Sequence, residues 1–180
     1  HEMLQRIVPT ADAMIPHYTD VKEHAEGMHF YADELTDYAT NLTGLQLALA
    51  ADFRFTTPDC EFAVLEAEWG LIPDMTGSVT LRELMPMDQA KRLTMTGRVF
   101  SGSEAHQLGL ATRVCADPYA EALALARQIA ERPPKAMRAA KRLLDLAIDA
   151  DARQILLAES TEQAALIGAA EQVEAVTAKL

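Results

Sequence analysis

A change of hydrophobic period inside one short stretch constrains this chain most. Residues 44–53, GLQLALAADF, read as a compact apolar helix with Gly44 at its start. Residues 54–64, RFTTPDCEFAV, alternate instead, and carry a Pro58-Asp59 turn. They read as two short extended pieces. Alternation of this kind belongs to a half-buried strand, not to a helix face. It argues against an all-helical interaction module.

Downstream the pattern is helical with short breaks. TGSVTLRELM opens on Thr76, Gly77 and Ser78, small residues suited to a helix N-terminus. MDQAKRLTMTG predicts a helix with Asp88 near its start and Gly97 just past its end. SGSEAHQLGL predicts another, with Ser103 as N-cap and Glu104 in the first turn. ATRVCA is a short strand. DPYAEALALARQIAER is a long amphipathic helix with Pro118 at its first position, ended by Pro133 and Pro134. KAMRAAKRLLDLAIDA and ARQILLAESTEQAALIGAAEQVEAVTAKL are further helices. Residues 1–43 have another texture. They hold four of the five histidines (His1, His17, His24, His29) and three of the four tyrosines. Their patterns are helical but short, and no strand is expected there.

Charge narrows the partners. The chain carries 27 acidic and 16 basic residues, a net of -11. Neither nucleic acid nor an anionic membrane attracts such a surface, so neither is expected as a partner. A local basic patch for a phosphorylated ligand remains open. Cys60 and Cys115 are too few for a disulfide scaffold and suit a reducing, cytoplasmic setting. No apolar run reaches the ~18 residues of a membrane span, and the start has no signal-peptide core. His24 and His29, with Glu23 and Glu26, are spaced by five, which suits no shared helical face. No metal site is expected.

One carboxylate-bearing stretch stands out. FAVLEAEWGLIPDMTGSVTLREL, residues 62–84, places Glu66, Glu68 and Asp74 among Val64, Leu65, Trp69, Leu71 and Ile72. Acids in a drying segment are either turned to solvent or held for chemistry.

In this order the pieces resemble the crotonase superfamily, the enoyl-CoA hydratase/isomerase group. GLQLALAADFRFTTPDCEF is similar to its glycine-led helix, Ala-Asp and strand. LEAEWGLIPDMTGSVTLREL is similar to its acidic active-site segment. AKRLTMTGRVFSGSEAHQLGLATRV and ALARQIAERPPKAMRAAKRLL resemble its following pattern and its C-terminal helices. The resemblance implies an α/β fold, a partial ββα spiral with a C-terminal helical oligomerisation region. It divides the chain into an atypical N-terminal segment (1–43), a core (44–132) and a helical region (133–180). It implies an acyl-CoA thioester as substrate, no cofactor beyond the coenzyme A that the substrate carries, and a homo-oligomer, trimer or hexamer. An enolate-like oxyanion would be met by backbone N–H groups, and carboxylates would move the protons.

Carried onto this chain, the resemblance marks Glu66 as one catalytic acid. Asp74, eight positions later, stands where dienoyl-CoA isomerases carry an aspartate and hydratases a glycine. It is either a second acid or turn chemistry after Pro73. Gln46 takes the place of the hydratases' other glutamate. An amide exchanges no proton near neutral pH; it orients water or substrate. Thr43 and Gly44 end the oxyanion turn, which here reads Asn41-Leu42-Thr43-Gly44 in place of glycines. Residues 1–43 do not resemble the family's preceding region, which supplies the other oxyanion donor. Either the N-terminal half has been replaced, or the chain is an incomplete or spliced part of a longer one. The expectation is an enoyl-CoA hydratase/isomerase tilting to isomerase. The alternative is a non-catalytic crotonase-like protein that keeps the fold and the oligomer contacts.

The Ala/Leu stripes of the last helices carry more apolar surface than one domain hides. Sedimentation at micromolar concentration should therefore show an oligomer built on trimers; a monomer alone would contradict this.

Overall fold

The structure, a computed structural model, describes residues 30–33 and 44–179. Its centre is the alternating stretch. Strand β2 (Phe53–Thr56) lies between β1 (Phe30–Asp33) and β5 (Arg113–Val114) in a three-stranded parallel sheet. Phe30 pairs with Phe53, and Phe55 pairs with Arg113. Beyond the Pro58-Asp59 turn, β3 (Glu61–Phe62) runs antiparallel to β4 (Phe100–Ser101). The rings of Phe62 and Phe100 stack across that pair, centroids 5.8 Å apart.

Helices fill the connections. Helix α1 (Gly44–Leu49) leads into β2, and a single 3-10 turn (Glu66–Trp69) follows β3. Then come α2 (Gly77–Leu84), α3 (Met87–Thr96) and α4 (Gly102–Gln107). Helix α5 (Pro118–Ala130) follows β5, and α6 (Pro134–Ala147), α7 (Ala152–Leu166) and α8 (Ala170–Thr177) end the chain.

Two clusters hold these pieces. The larger joins Leu45 and Leu49 of α1, Phe62, Leu81, Leu93 and Phe100. The smaller joins Phe55 of β2 with Ala122 and Ala126 of α5. Those alanines are four apart on one helical face, and neither is exposed to solvent. Their small side chains let α5 lie close against the sheet. Burial of this kind is the main term that offsets the entropy of ordering the chain.

The last three helices depart from this pattern. Ala139 is the one buried residue of α6, and α7 and α8 bury none. Leu144 (71 % exposed), Leu156, Leu157 and Ile167 stand open to solvent. Helix α6 is tied to the core by Lys141, which donates to Asp52 at 2.5 Å and pairs with Asp145 at 3.3 Å. Burial works against the Lys141 charge. The hydrogen bonds to the two aspartates outweigh it and hold the ammonium pKa above its ordinary value. Helix α7 starts on a capping box, Asp151 and Gln154 bonding each other's backbone. Among the described residues, no helix is long and apolar enough to cross a membrane.

Three details differ from the expectation. β1 is a strand inside the segment expected to hold none. Four residues are too few to show a period, and the helical patterns around them hid it. The N-cap of α4 is Ser101, whose hydroxyl accepts from the Glu104 N–H, and not Ser103. Both serines precede the same helical run; β4 ends on Ser101 and leaves it the extended conformation that a cap needs. Helix α5 stops at Ala130, three residues before Pro133.

Gly102 joins β4 to α4 where no side chain fits. A Cβ there would sit 1.9 Å from the Thr57 carbonyl oxygen. Gly102→Ala should cost roughly 1–3 kcal/mol as overpacking, read as a lower urea midpoint at unchanged slope. An unchanged midpoint would show that the segment yields freely.

Candidate functional site

Glu66 reaches the interior because of how β3 ends. Phe62, Ala63 and Val64 are all buried, so the chain is still inside when it turns into the 3-10 helix at Glu66. Gly70 closes that turn in the left-handed conformation, φ 69°. The Leu71 N–H bonds back to the Glu66 carbonyl at 2.9 Å. The Glu66 side chain is left 4 % exposed.

Its partner comes from α1. Gln46, 3 % exposed, donates from Nε2 to Oε1 of Glu66. The amide is oriented by its other end. Gln46 Oε1 accepts from the Met75 N–H at 3.0 Å and from the Gly77 N–H at 3.1 Å. Two backbone donors require an oxygen, so the NH₂ group must face Glu66. Thr76 sits between those donors in the left-handed conformation, φ 64°, and turns both onto one acceptor. Its own side chain caps nothing. The Gln46 oxygen thus serves the N-terminus of α2 in place of a cap, where the helix dipole favours negative charge.

Gly77 is the residue that this contact demands. A Cβ there would lie 2.5 Å from Gln46 Oε1 and 3.1 Å from the Pro73 side chain.

The second oxygen of Glu66 is different. Oε2 is buried and has no hydrogen-bond partner among the described residues. Unpaired buried polar atoms are costly, about 1–3 kcal/mol. One oxygen of the carboxyl is occupied and the other is buried and unpaired.

The other expected site residues are placed as follows. Gly44 is buried as the first residue of α1. Asp74 is exposed in the segment between the 3-10 turn and α2, with no hydrogen-bond or ion-pair partner among the described residues. The structure brings Glu66 and Gln46 together and leaves Asp74 at the surface. Glu68 faces solvent and packs over Gly97. Trp69, Leu71 and Ile72 (77 % exposed) form an apolar rim on the same segment. Thr43 lies outside the described residues, as do His24, His29 and their neighbouring glutamates. Among the described residues, no group of three or more His, Cys, Asp or Glu could hold a metal ion. The bond from Gln46 to Glu66, and its demand for Gly77, had no local signal in the sequence. The three residues share no short motif.

The family model for enoyl-CoA hydratase/isomerase matches residues 35–179. The chain belongs to the enoyl-CoA hydratase/isomerase family. The match begins inside the segment 1–43. Among curated relatives, the human enoyl-CoA hydratase domain-containing protein 2, mitochondrial, is 36 % identical over 114 residues, 60 % of this chain and 39 % of that protein. The chain thus spans about two-fifths of the length of such relatives. The crystal structure of an enoyl-CoA hydratase from Polaromonas sp. JS666 superposes with a TM-score of 0.77 at 27 % identity, covering 97 % of this chain and 69 % of that one. A protein from Thermobifida fusca YX, solved in complex with CoA, gives a TM-score of 0.66 at 36 % identity, covering 77 % of this chain and 52 % of that one. The expected family and α/β crotonase fold are therefore correct.

Gly77→Ala should push the Gln46 amide away and unpair the Met75 and Gly77 N–H groups. A loss of roughly 1–3 kcal/mol in chemical denaturation is expected for the orphaned donors. Native stability in this variant would show that another acceptor takes over.

Proposed function

We propose that this chain binds an acyl-CoA thioester and moves a proton beside its carbonyl, with Glu66 as the proton carrier and isomerisation favoured over hydration. The observation that carries this is the Glu66 carboxyl itself, buried, held through Oε1 and open at Oε2. Family membership supports the substrate class, as does the relative solved with CoA.

The preference for isomerisation comes from Gln46. Adding water across a double bond needs a group that takes a proton from water and a group that gives one to carbon. Gln46 can do neither near neutral pH. A single carboxyl suffices for a shift. Glu66 removes a proton from the α-carbon of a β,γ-unsaturated thioester, and the electron pair passes into a dienolate with its charge on the thioester oxygen. The same carboxyl returns the proton to the γ-carbon, and the double bond ends at the α,β position. Nothing is oxidised or reduced. The oxyanion donors are assigned to the backbone of Thr43 and Gly44, and such donors supply the largest share of the stabilisation in enolate chemistry. Asp74 gives the two-acid form of the same reaction, in which a bound substrate covers that exposed carboxylate. The open apolar faces of α6 and α7 support assembly into a homo-oligomer.

Calorimetry with short and medium acyl-CoAs should show binding. Glu66→Gln should lower kcat on a β,γ-enoyl-CoA by ~10²–10⁴, the weight of a general acid/base, with acyl-CoA affinity little changed. Glu68→Gln should be silent. Asp74→Asn decides between the one-acid and two-acid forms: intact turnover leaves Glu66 alone in the role. No binding and no turnover with any acyl-CoA would reject the enzyme.

A further inference from the structure

The Gln46 amide is fixed at both ends. Its oxygen is claimed by the Met75 and Gly77 N–H groups, and its NH₂ meets Oε1 of Glu66. This makes the two oxygens of Glu66 unlike. A proton placed on Oε1 would make that oxygen a weaker acceptor for the Gln46 N–H. A proton placed on Oε2 leaves that bond intact, because Oε2 has no partner among the described residues. The Gln46 bond therefore favours Oε1 as the acceptor and Oε2 as the oxygen that carries the proton.

We propose that Gln46 is a positioning residue, whose amide occupies Oε1 of Glu66 and so confines proton exchange to Oε2. The role rests on Glu66 being the proton carrier. It differs from orienting water or substrate, because Gln46 acts through Glu66. It also links the carboxyl to the start of α2, since the oxygen that accepts from Gly77 belongs to the same amide. Shifting the 75–77 backbone would turn the amide, and with it Glu66.

The substitution that isolates the role is Gln46→Glu. It keeps the chain length and an oxygen for the two backbone donors, but replaces the NH₂ facing Glu66 with a second carboxyl oxygen. The pair must then share a proton, and Oε1 loses the donor that favoured it as the acceptor. On a hexenoyl-CoA with its double bond at the β,γ position, kcat should fall roughly tenfold or more, with KM within about twofold and the thermal midpoint kept. Gln46→Asn, one methylene short, should not restore turnover.

A second measurement needs no turnover. In ¹H–¹⁵N spectra of the native protein, one Gln46 side-chain amide proton should be shifted downfield of those of exposed Gln107 and Gln163. In Glu66→Leu that shift should collapse. Unchanged kcat in Gln46→Glu, beside an inactive Glu66→Gln, overturns the positioning role alone. Full turnover in Glu66→Gln overturns the proton-carrier assignment and this proposal with it. Should Gln46→Glu fail to fold, the spectra decide: a Gln46 resonance that is the same with and without Glu66 overturns the proposal.

Discussion

One side-chain amide joins the three segments on which the site depends. Gln46 belongs to α1, its donor faces the 3-10 turn, and its acceptor faces the start of α2. Remove it and the segments lose a common partner. The arrangement is economical in another way. A buried carboxyl is normally expensive, and here the cost is offset at one oxygen only. The remaining imbalance is what the proposed proton transfer rests on.

Packing explains why the amide can be so well held. Leu45 and Leu49 flank Gln46 on α1, and both lie in the larger cluster with Phe62 and Leu81. Phe62 lies four residues before Glu66, and Leu81 lies four residues after Gly77. The apolar contacts thus hold the ends of the polar site in register, and the polar bonds set its details. This division is common in proteins: nonspecific burial supplies most of the stability, and hydrogen bonds choose among compact alternatives.

Much of this was legible in the sequence where the signal is local. The break from helix to alternation at Arg54 gave β2 and β3, Gly97 marked the end of α3, and Pro118 marked the start of α5. Family resemblance singled out Glu66, and the structure finds it buried. What was not legible involved distance or brevity. β1 is too short for its period to stand out. The capping role of Ser101 depends on where β4 ends, which the pattern Ser-Gly-Ser does not say. Asp74 sits in a hydrophobic-looking run, yet its segment lies at the surface, and the chain is already exposed from Ala67 to Ile72. The partnership of Gln46 with Glu66 crosses twenty residues of sequence, and only the fold brings the two together.

The close approach of Gly77 to Gln46 also restricts how such a chain can change over generations. Positions 46 and 77 cannot drift independently. A side chain at 77 occupies the space of the Gln46 oxygen, so it requires the Gln46 amide to move or position 46 to shorten. Shortening position 46 first releases Glu66 and unpairs two backbone donors. Either order passes through a damaged intermediate. The pair is therefore a local trap in sequence space, one that a lineage leaves by giving up the present site and not by gradual adjustment of it.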